Sequence, residues 1–364
     1  MTTLFLDFET YSATPIKWGT SVYAENAEIM LATYAIDDGP VHDIDFTLGD
    51  PHDVWMLQDL VAKATTIVAH NSYFDRSVLR LGNLKIETPI SKWRCSMVKA
   101  LLHGLPGGLD KLCEILKVPT EHAKLKDGRT LVLKFCKPQG KAAKIHRHTR
   151  ETHPAEWSRF VEYARNDISA MREVWHRLPS WNYGEEGYGA TERDLWHLDQ
   201  KINDRGVLTD QALVSAAIRA TDAEQARLKR AVREHTDDYV GAATQRDRML
   251  EFIFAEYGIG MADLSKSTVA KMLDREDIDP MLRALLEIRA QASRSSTSKY
   301  KAFQRAANTD GRVRGMFQFS GAARTRRDAG RTVQLQNLGS RGLLPQDQIE
   351  VGIEALLAGV EDLL

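Results

Sequence analysis

Leu4-Phe5-Leu6-Asp7-Phe8-Glu9-Thr10 is the stretch on which the reading of this chain turns. Apolar residues lead into two carboxylates spaced two positions apart. In a strand, side chains alternate between faces, so Asp7 and Glu9 point one way and Leu6 and Phe8 the other. Two like charges on a largely buried strand repel each other and are costly to desolvate without a positive partner. Carboxylate oxygens suit a hard divalent cation such as magnesium or manganese, which would supply that partner.

Outward from this strand, residues 21–25 and 29–36 read as further strands, the second rich in β-branched and aromatic residues. Asp37-Asp38-Gly39-Pro40 is a turn signal, which makes an antiparallel meander. Residues 51–64 carry apolar positions at helical spacing (Val54, Leu57, Leu60, Val61), and 66–69 form a short buried strand. That strand delivers His70-Asn71-Ser72-Tyr73-Phe74-Asp75 into a helix, with Ser72 as the candidate N-cap. A carboxylate in that first turn is expected to face the same site as Asp7 and Glu9. A third element, Glu162-Tyr163-Ala164-Arg165-Asn166-Asp167, lies inside a helix predicted over 154–177. Tyr163 and Asp167 are i and i+4 and share its face.

The 364 residues allow two or three domains, and 43% hydrophobic with 27% charged residues is an ordinary globular composition. Three cysteines without a C-x-x-C pair argue against a disulfide framework or a zinc site, and His146 with His148 alone makes no zinc motif. With no apolar run of membrane-spanning length and no signal sequence, a cytoplasmic location is expected. The net charge of −1 hides a segregation. Residues 18–62 hold nine acids and no Lys or Arg; 124–150 hold nine basic residues against one acid; 289–341 hold twelve against two. Two basic blocks suit a polyanion gripped twice.

A boundary is expected at 179–189, followed by a helical arm. There Leu195, Leu198 and Ile202 form one face, Gly206 breaks the helix, Thr209 or Asp210 caps the next, Thr221-x-x-Glu224 matches a capping box, Ser265 or Ser267 caps another, 281–307 is a single long helix and 351–364 a short amphipathic one. The last basic block interleaves glycine with arginine and amides: Gly311-Arg312-Val313-Arg314-Gly315, then Arg324-Thr325-Arg326-Arg327-Asp328-Ala329-Gly330-Arg331, then Gln334-Leu335-Gln336-Asn337-Leu338. Such a segment allows close backbone approach with phosphate donors.

Taken together, strand D-x-E, H-N-x-x-x-D entering a helix and a helical Y-x-x-x-D resemble the three exonuclease motifs of the ribonuclease H-like 3′–5′ exonuclease superfamily, tyrosine-bearing subclass. The glycine–arginine stretch from Asp310 to Leu338 resembles the segment of family A DNA polymerases, especially those of bacteriophages, that precedes the palm; Leu195–Asp210 and Ser298–Phe303 also fit that family, so the resemblance covers nearly the whole chain. The resemblance implies an α/β fold: a ribonuclease H-like mixed sheet with flanking helices, followed by a mostly helical thumb-like region. It implies three consecutive domains, 1–180 (exonuclease), 181–308 (thumb-like) and 309–364 (partial primer–template-contacting segment). It also implies two Mg2+ or Mn2+ ions about 3.5–4 Å apart that activate a water and neutralise the leaving oxygen. Asp7 would bridge them, Glu9 and Asp167 would complete the water-activating site, and Asp75 would hold the second ion. Tyr163 would orient the water, since a phenol of pKa ~10 is a poor base at neutral pH. Phe8, Thr10, Asn71 and Phe74 become candidates to contact the terminal nucleotide, and Lys134 and Lys137 the backbone of a frayed strand. Arg312, Arg314, Arg324, Arg326, Arg327, Arg331, Gln336 and Asn337 become candidates for primer–template contact.

Two stretches depart from the family's usual pattern: Arg326 and Asp328 stand where a Gly and a Trp are usual, and Gly339-Ser340 follow Asn337-Leu338 in place of Pro-Arg. The D-x-S-x-x-E stretch, fingers lysine and final carboxylate pair of a polymerase palm do not occur, so this chain alone is not expected to polymerise. Three functions compete. The first is a proofreading-type 3′–5′ exonuclease acting on a single-stranded 3′ end or frayed primer–template. The second is a DNA-gripping subunit of a split polymerase completed by a separate palm-and-fingers chain. The third is a ribonuclease D-like RNA exonuclease, against which the Gln334–Leu338 segment argues.

Overall fold

β1 (Thr3–Tyr11) runs through the centre of a five-stranded mixed sheet. The structure is a computed structural model that describes residues 2–119, 128–140, 142–179, 191–293, 297–338 and 344–360. After β1 come α1 (Thr20–Glu25), β2 (Glu28–Ile36), β3 (Val41–Asp45), α2 (Pro51–Lys63), β4 (Thr66–Ala69) and α3 (Tyr73–Leu81). Then follow β5 (Trp93–Cys95), α4 (Ser96–Leu102), α5 (Leu109–Ile115), α6 (Gly128–Phe135), α7 (Pro154–Arg177), α8 (Glu192–Arg205) and β6 (Val207–Leu208). A helical run of α9 (Gln211–His235), α10 (Arg246–Tyr257), α11 (Lys266–Leu273), α12 (Pro280–Ala292) and α13 (Ser298–Ala306) leads to the short strands β7 (Arg312–Val313), β8 (Phe317–Gln318) and β9 (Ala329–Gly330), and to α14 (Gln346–Ala358). No helix among the described residues is long and apolar enough to cross a membrane.

The sheet order is β3-β2-β1-β4-β5, with β1 antiparallel to β2 and parallel to β4. Alternation along β1 sorts its side chains. Leu4, Leu6 and Phe8 pack with Leu57, Val61, Val78 and Leu79 on one side, while Phe5 packs with Ile168, Met171 and Val174 of α7 on the other. Asp7 and Glu9 continue the Phe5 side, so the face that meets α7 is also the face that carries the acids.

Residues 21–25 are helical, not the strand expected from Val22 and Tyr23. Both edges of β1 are already occupied, by β2 and β4, and α1 instead buries Val22, Tyr23 and Ala24 and packs on α3. Tertiary packing overrides local preference here. The expected apolar face of α8 is also reversed. Leu195, Leu198 and Ile202 are exposed, and Trp196, Asp199, Gln200 and Asn203 are buried. The cause is Arg76 of α3, only 3% exposed, whose guanidinium donates to Asp204 and, at 2.9 Å, to Gln200 Oε1. A buried charge must be paired and hydrogen-bonded, so the polar face of α8 turns inward to meet it. Asn203 then accepts from Phe317 N at 3.0 Å and donates to Phe317 O at 2.9 Å, binding β8 to α8.

Thr221 is no cap. It lies within α9 and donates to Ala217 O at 2.6 Å; the capping box is Thr191 with Asp194, at the start of α8. Asp210 and Ser265 do cap α9 and α11. The single helix expected over 281–307 appears as α12 and α13, with 294–296 outside the described residues, and α14 starts at Gln346 rather than Val351. The boundary expected at 179–189 falls almost wholly outside the described residues.

The chain separates into two compact units that are not consecutive in sequence: Met1–Thr209 with Ala306–Asn337, and Asp210–Arg305 with Leu338–Leu364. Residues 309–337 therefore fold with the sheet domain instead of forming a third segment, because β7 pairs with β6 and β8 is tied to α8. In the second unit α12 and α14 lie along α9, and Val232, Met249, Ile253, Leu282 and Leu286 form the core.

Replacing Arg76 by Ala should destabilise the sheet unit by about 2 kcal/mol, because the buried Gln200 loses its donor and Asp204 keeps only Arg80, at 3.2 Å. Urea denaturation followed by circular dichroism measures this; an unchanged midpoint would show that the network contributes nothing.

Candidate active site

Three carboxylates meet where β1 passes under α7. One oxygen each of Asp7, Glu9 and Asp167 lies within 4.8 Å of the others. β1 supplies the first two by its two-residue period, and α7 supplies the third. A register irregularity of β1 against β2 falls between Glu9 and Thr10, at the edge of the cluster.

Asp75 completes the acidic group from the edge of the sheet. β4 pairs with β1 only over Thr3–Phe5, and beyond it the chain turns into α3, whose first turn takes over as β1's neighbour. The Phe8 N–H donates to Asp75 Oδ1 at 3.3 Å. Asp75 is 1% exposed and its Oδ2 has no hydrogen-bond partner among the described residues. Burial, and then the nearby Asp7 charge, push its carboxyl well above the usual carboxylate range. Ser72 occupies the N-cap position of α3 but makes no capping hydrogen bond.

Tyr163 stands one turn before Asp167, is 4% exposed and shares a side-chain hydrogen bond with it. Burial and the charges of Asp167, Glu9 and Asp7 push its phenol far up, so it stays protonated and donates. Its ring stacks on Phe160 with centroids 6.4 Å apart, and Gly128 at the start of α6 lies directly against the ring. A Cβ at Gly128 would fall 2.1 Å from the ring. Cys136, just after α6, donates its thiol to Glu9 Oε2 at 3.7 Å; burial first, and then Glu9, push that thiol up. Neither Gly128 nor Cys136 is flagged by sequence spacing, since both act through a loop whose path the motifs do not encode.

Three acids converging on one place, with the buried Asp75 held against the Phe8 N–H beside Asp7 and carrying an oxygen without a partner among the described residues, fit a site for hard divalent cations. Beside Glu9 opens a cleft of about 530 Å³ lined mainly by apolar groups, among them Phe8, Thr10, Tyr23 and Phe74, with Lys137 at its rim. Phe8 serves both sides of its strand position: it is 4% exposed in the core and also bounds this cleft. Thr10 is tied to Tyr23, Oγ1 to hydroxyl, at 2.8 Å. Asn71, in a left-handed conformation with φ 63°, lines a different cavity from Phe74.

The other expected nucleic-acid residues divide. Lys134 is bound to Glu156 at 2.7 Å, and Arg312 and Arg314 are committed to internal contacts. Arg312 donates to Arg205 O and Gly206 O at 3.3 Å each, and Arg314 to Asp204 O at 2.8 Å and to Asp310. These two arginines close the C-terminal end of α8, where carbonyls lack intrahelical partners. Arg324, Arg326, Arg327, Arg331, Gln336 and Asn337 are exposed, with Arg326 3.8 Å from Glu192. His146 is exposed as expected, whereas His148 has an enclosed Nδ1 and packs 4.2 Å from the His153 ring.

No protein-family model matches the sequence. The chain is 35% identical over 359 residues to a DNA polymerase of Bacillus phage SP02, a match that covers 96% of this chain and 52% of that protein. The chain thus spans about half the length of that relative. Among solved structures it resembles the POL domain of Pol1 from M. smegmatis in complex with DNA primer-template and dNTP, with a TM-score of 0.51 and 13% identity over 92% of this chain and 53% of that one. At this identity the likeness is one of fold.

The contact between Gly128 and Tyr163 is directly testable. Gly128→Ala should displace the Tyr163 ring at a cost of about 1–3 kcal/mol of stability, as for other overpacked sites. Intrinsic fluorescence and thermal unfolding read it out, and an unshifted melting temperature would contradict the contact.

Proposed function

We propose that the sheet unit is a ribonuclease H-like, metal-dependent 3′–5′ exonuclease of proofreading type that acts on a DNA 3′ end. The observation that carries this reading is the convergence of Asp7, Glu9 and Asp167, backed by buried Asp75, beside a cleft of nucleotide size. The sequence similarity to a phage DNA polymerase supports DNA as the substrate class. The polarity rests on the motif resemblance.

Asp7, Glu9 and Asp167 would hold the cations, with Asp75 closing the group from the sheet edge. Bound there, two divalent ions supply an acidified water and charge neutralisation on the leaving oxygen. The residues of the chain do the rest. Tyr163, protonated and fixed by Phe160 and Gly128, orients the water by hydrogen bonding and does not take its proton. The Cys136 thiol fixes the rotamer of Glu9. Phe8, Phe74 and Tyr23 enclose the terminal base, where base–aromatic contact is worth about 1–3 kcal/mol whatever the sequence. Lys137 meets the backbone at the rim.

With Mg2+ or Mn2+ and 5′-labelled single-stranded DNA, shortening from the 3′ end is expected. Asp7→Ala or Asp167→Ala should lower the rate by about a thousand-fold or more while the fold persists. Undiminished digestion by either variant would remove the assignment.

Asp75 separates activity from stability. Its raised carboxyl means the metal-free protein loses stability as pH climbs from about 4, the unfolded value, through the folded one. Asp75→Asn should therefore be more stable than the parent protein at pH 7 by on the order of 1 kcal/mol, with the gain vanishing below about pH 4, while activity falls. Thermal unfolding in EDTA across that pH range checks the sign.

A further inference from the structure

A second cavity, of about 320 Å³, is lined by Asn71, Ser72 and Tyr73 at the α3 start and shares Ile16 and Lys17 with the apolar cleft. Its character is different. Lys17 and Arg331 bring positive charge, Asn71 and Gln318 bring amides, Trp196 brings an aromatic face, and none of its lining residues is Asp or Glu. Ser72, 1% exposed and lining the cavity, has an Oγ that meets no nitrogen or oxygen partner among the described residues and has only the thiol of Cys95, itself a lining residue, beside it. Buried hydroxyls left unsatisfied cost free energy unless a ligand or water meets them. The α3 N-terminus adds N–H groups and a positive dipole end, which favour an anion.

We propose that this cavity is a nucleotide-binding pocket, distinct from the acidic cluster, that takes a 5′-phosphate and its attached nucleoside. The phosphate sits between Lys17 and Arg331 and accepts from Ser72; the base lies against Trp196, with Asn71 and Gln318 at its edge. The volume falls at the lower end of the range for small-molecule sites, which suits one nucleotide. Arg331 donates to Gln318, and a guanidinium retains further donors for a phosphate. The same chemistry could come from a free nucleoside monophosphate or from one nucleotide of a single strand. The pocket needs no divalent cation, so it stands or falls apart from the nuclease reading.

Equilibrium dialysis of the full chain in EDTA tests it, with dAMP, deoxyadenosine and a 5′-phosphorylated trithymidylate as probes. Binding of dAMP or of the trinucleotide is expected without metal, unaffected by Asp7→Ala and weakened about ten-fold or more by Lys17→Glu and by Arg331→Gln. Circular dichroism confirms that both variants fold; Lys17 is exposed, so its replacement does not disturb the core. Binding of the trinucleotide alone assigns the pocket to a strand, and binding of dAMP as well assigns it to free nucleotide. The proposal is overturned if binding disappears in EDTA, if Arg331→Gln, whose side chain lines this cavity and not the apolar cleft, binds as the parent does, or if deoxyadenosine binds as tightly as dAMP.

Discussion

Mutual repulsion among carboxylates is the constraint around which the sheet unit is arranged. Asp7, Glu9 and Asp167 share a space a few ångströms wide, and Asp75 is buried behind them against the β1 backbone. Left alone, such a group would spread apart. It is held because every member sits on an element fixed for other reasons: β1 by strands on both edges, α7 by Phe5, Ile168, Met171 and Val174, and α3 by Val78 and Leu79 in the opposite layer. Rigid elements hold charge in unfavourable proximity, which is the preorganisation a cation site requires.

Stability and chemistry pull in opposite directions at this place. The Phe8 N–H stabilises Asp75 only partly, and its other oxygen is left without a protein partner. Strain of this kind is common at functional sites and is compensated elsewhere, here by two core clusters packed on both faces of the sheet. Tyr163 illustrates the other side of the same balance. Burial first, and then the negative field of the acids, keeps the phenol protonated, and so defines it as a donor.

Much of the site was legible because its signals are periodic. Two residues per strand repeat put Asp7 and Glu9 together, four per helical turn put Tyr163 over Asp167, and a strand-to-helix junction placed Asp75. Long-range packing was not legible. α1 reads as strand locally, and only the occupied edges of β1 decide against it. α8 has a genuine apolar stripe, Leu195, Leu198 and Ile202, yet its polar side is buried because Arg76 lies more than a hundred residues away in sequence and next to it in space. Arg312 and Arg314 look like phosphate ligands in a glycine–arginine segment, while the fold uses them to close a helix end. Composition cannot distinguish these two uses of an arginine.

Adjacent residues of one helical turn, Asp75 and Arg76, face opposite neighbourhoods. The first is fastened to the β1 backbone at Phe8, beside the acidic cluster, and the second to Asp204 and Gln200 of α8, whose Asn203 holds the strand carrying Phe317. A rotation of α3 by a few degrees therefore cannot be felt at one end only. The first turn of α3 thus joins the β1 backbone beside the carboxylates to α8 and the strand at Phe317.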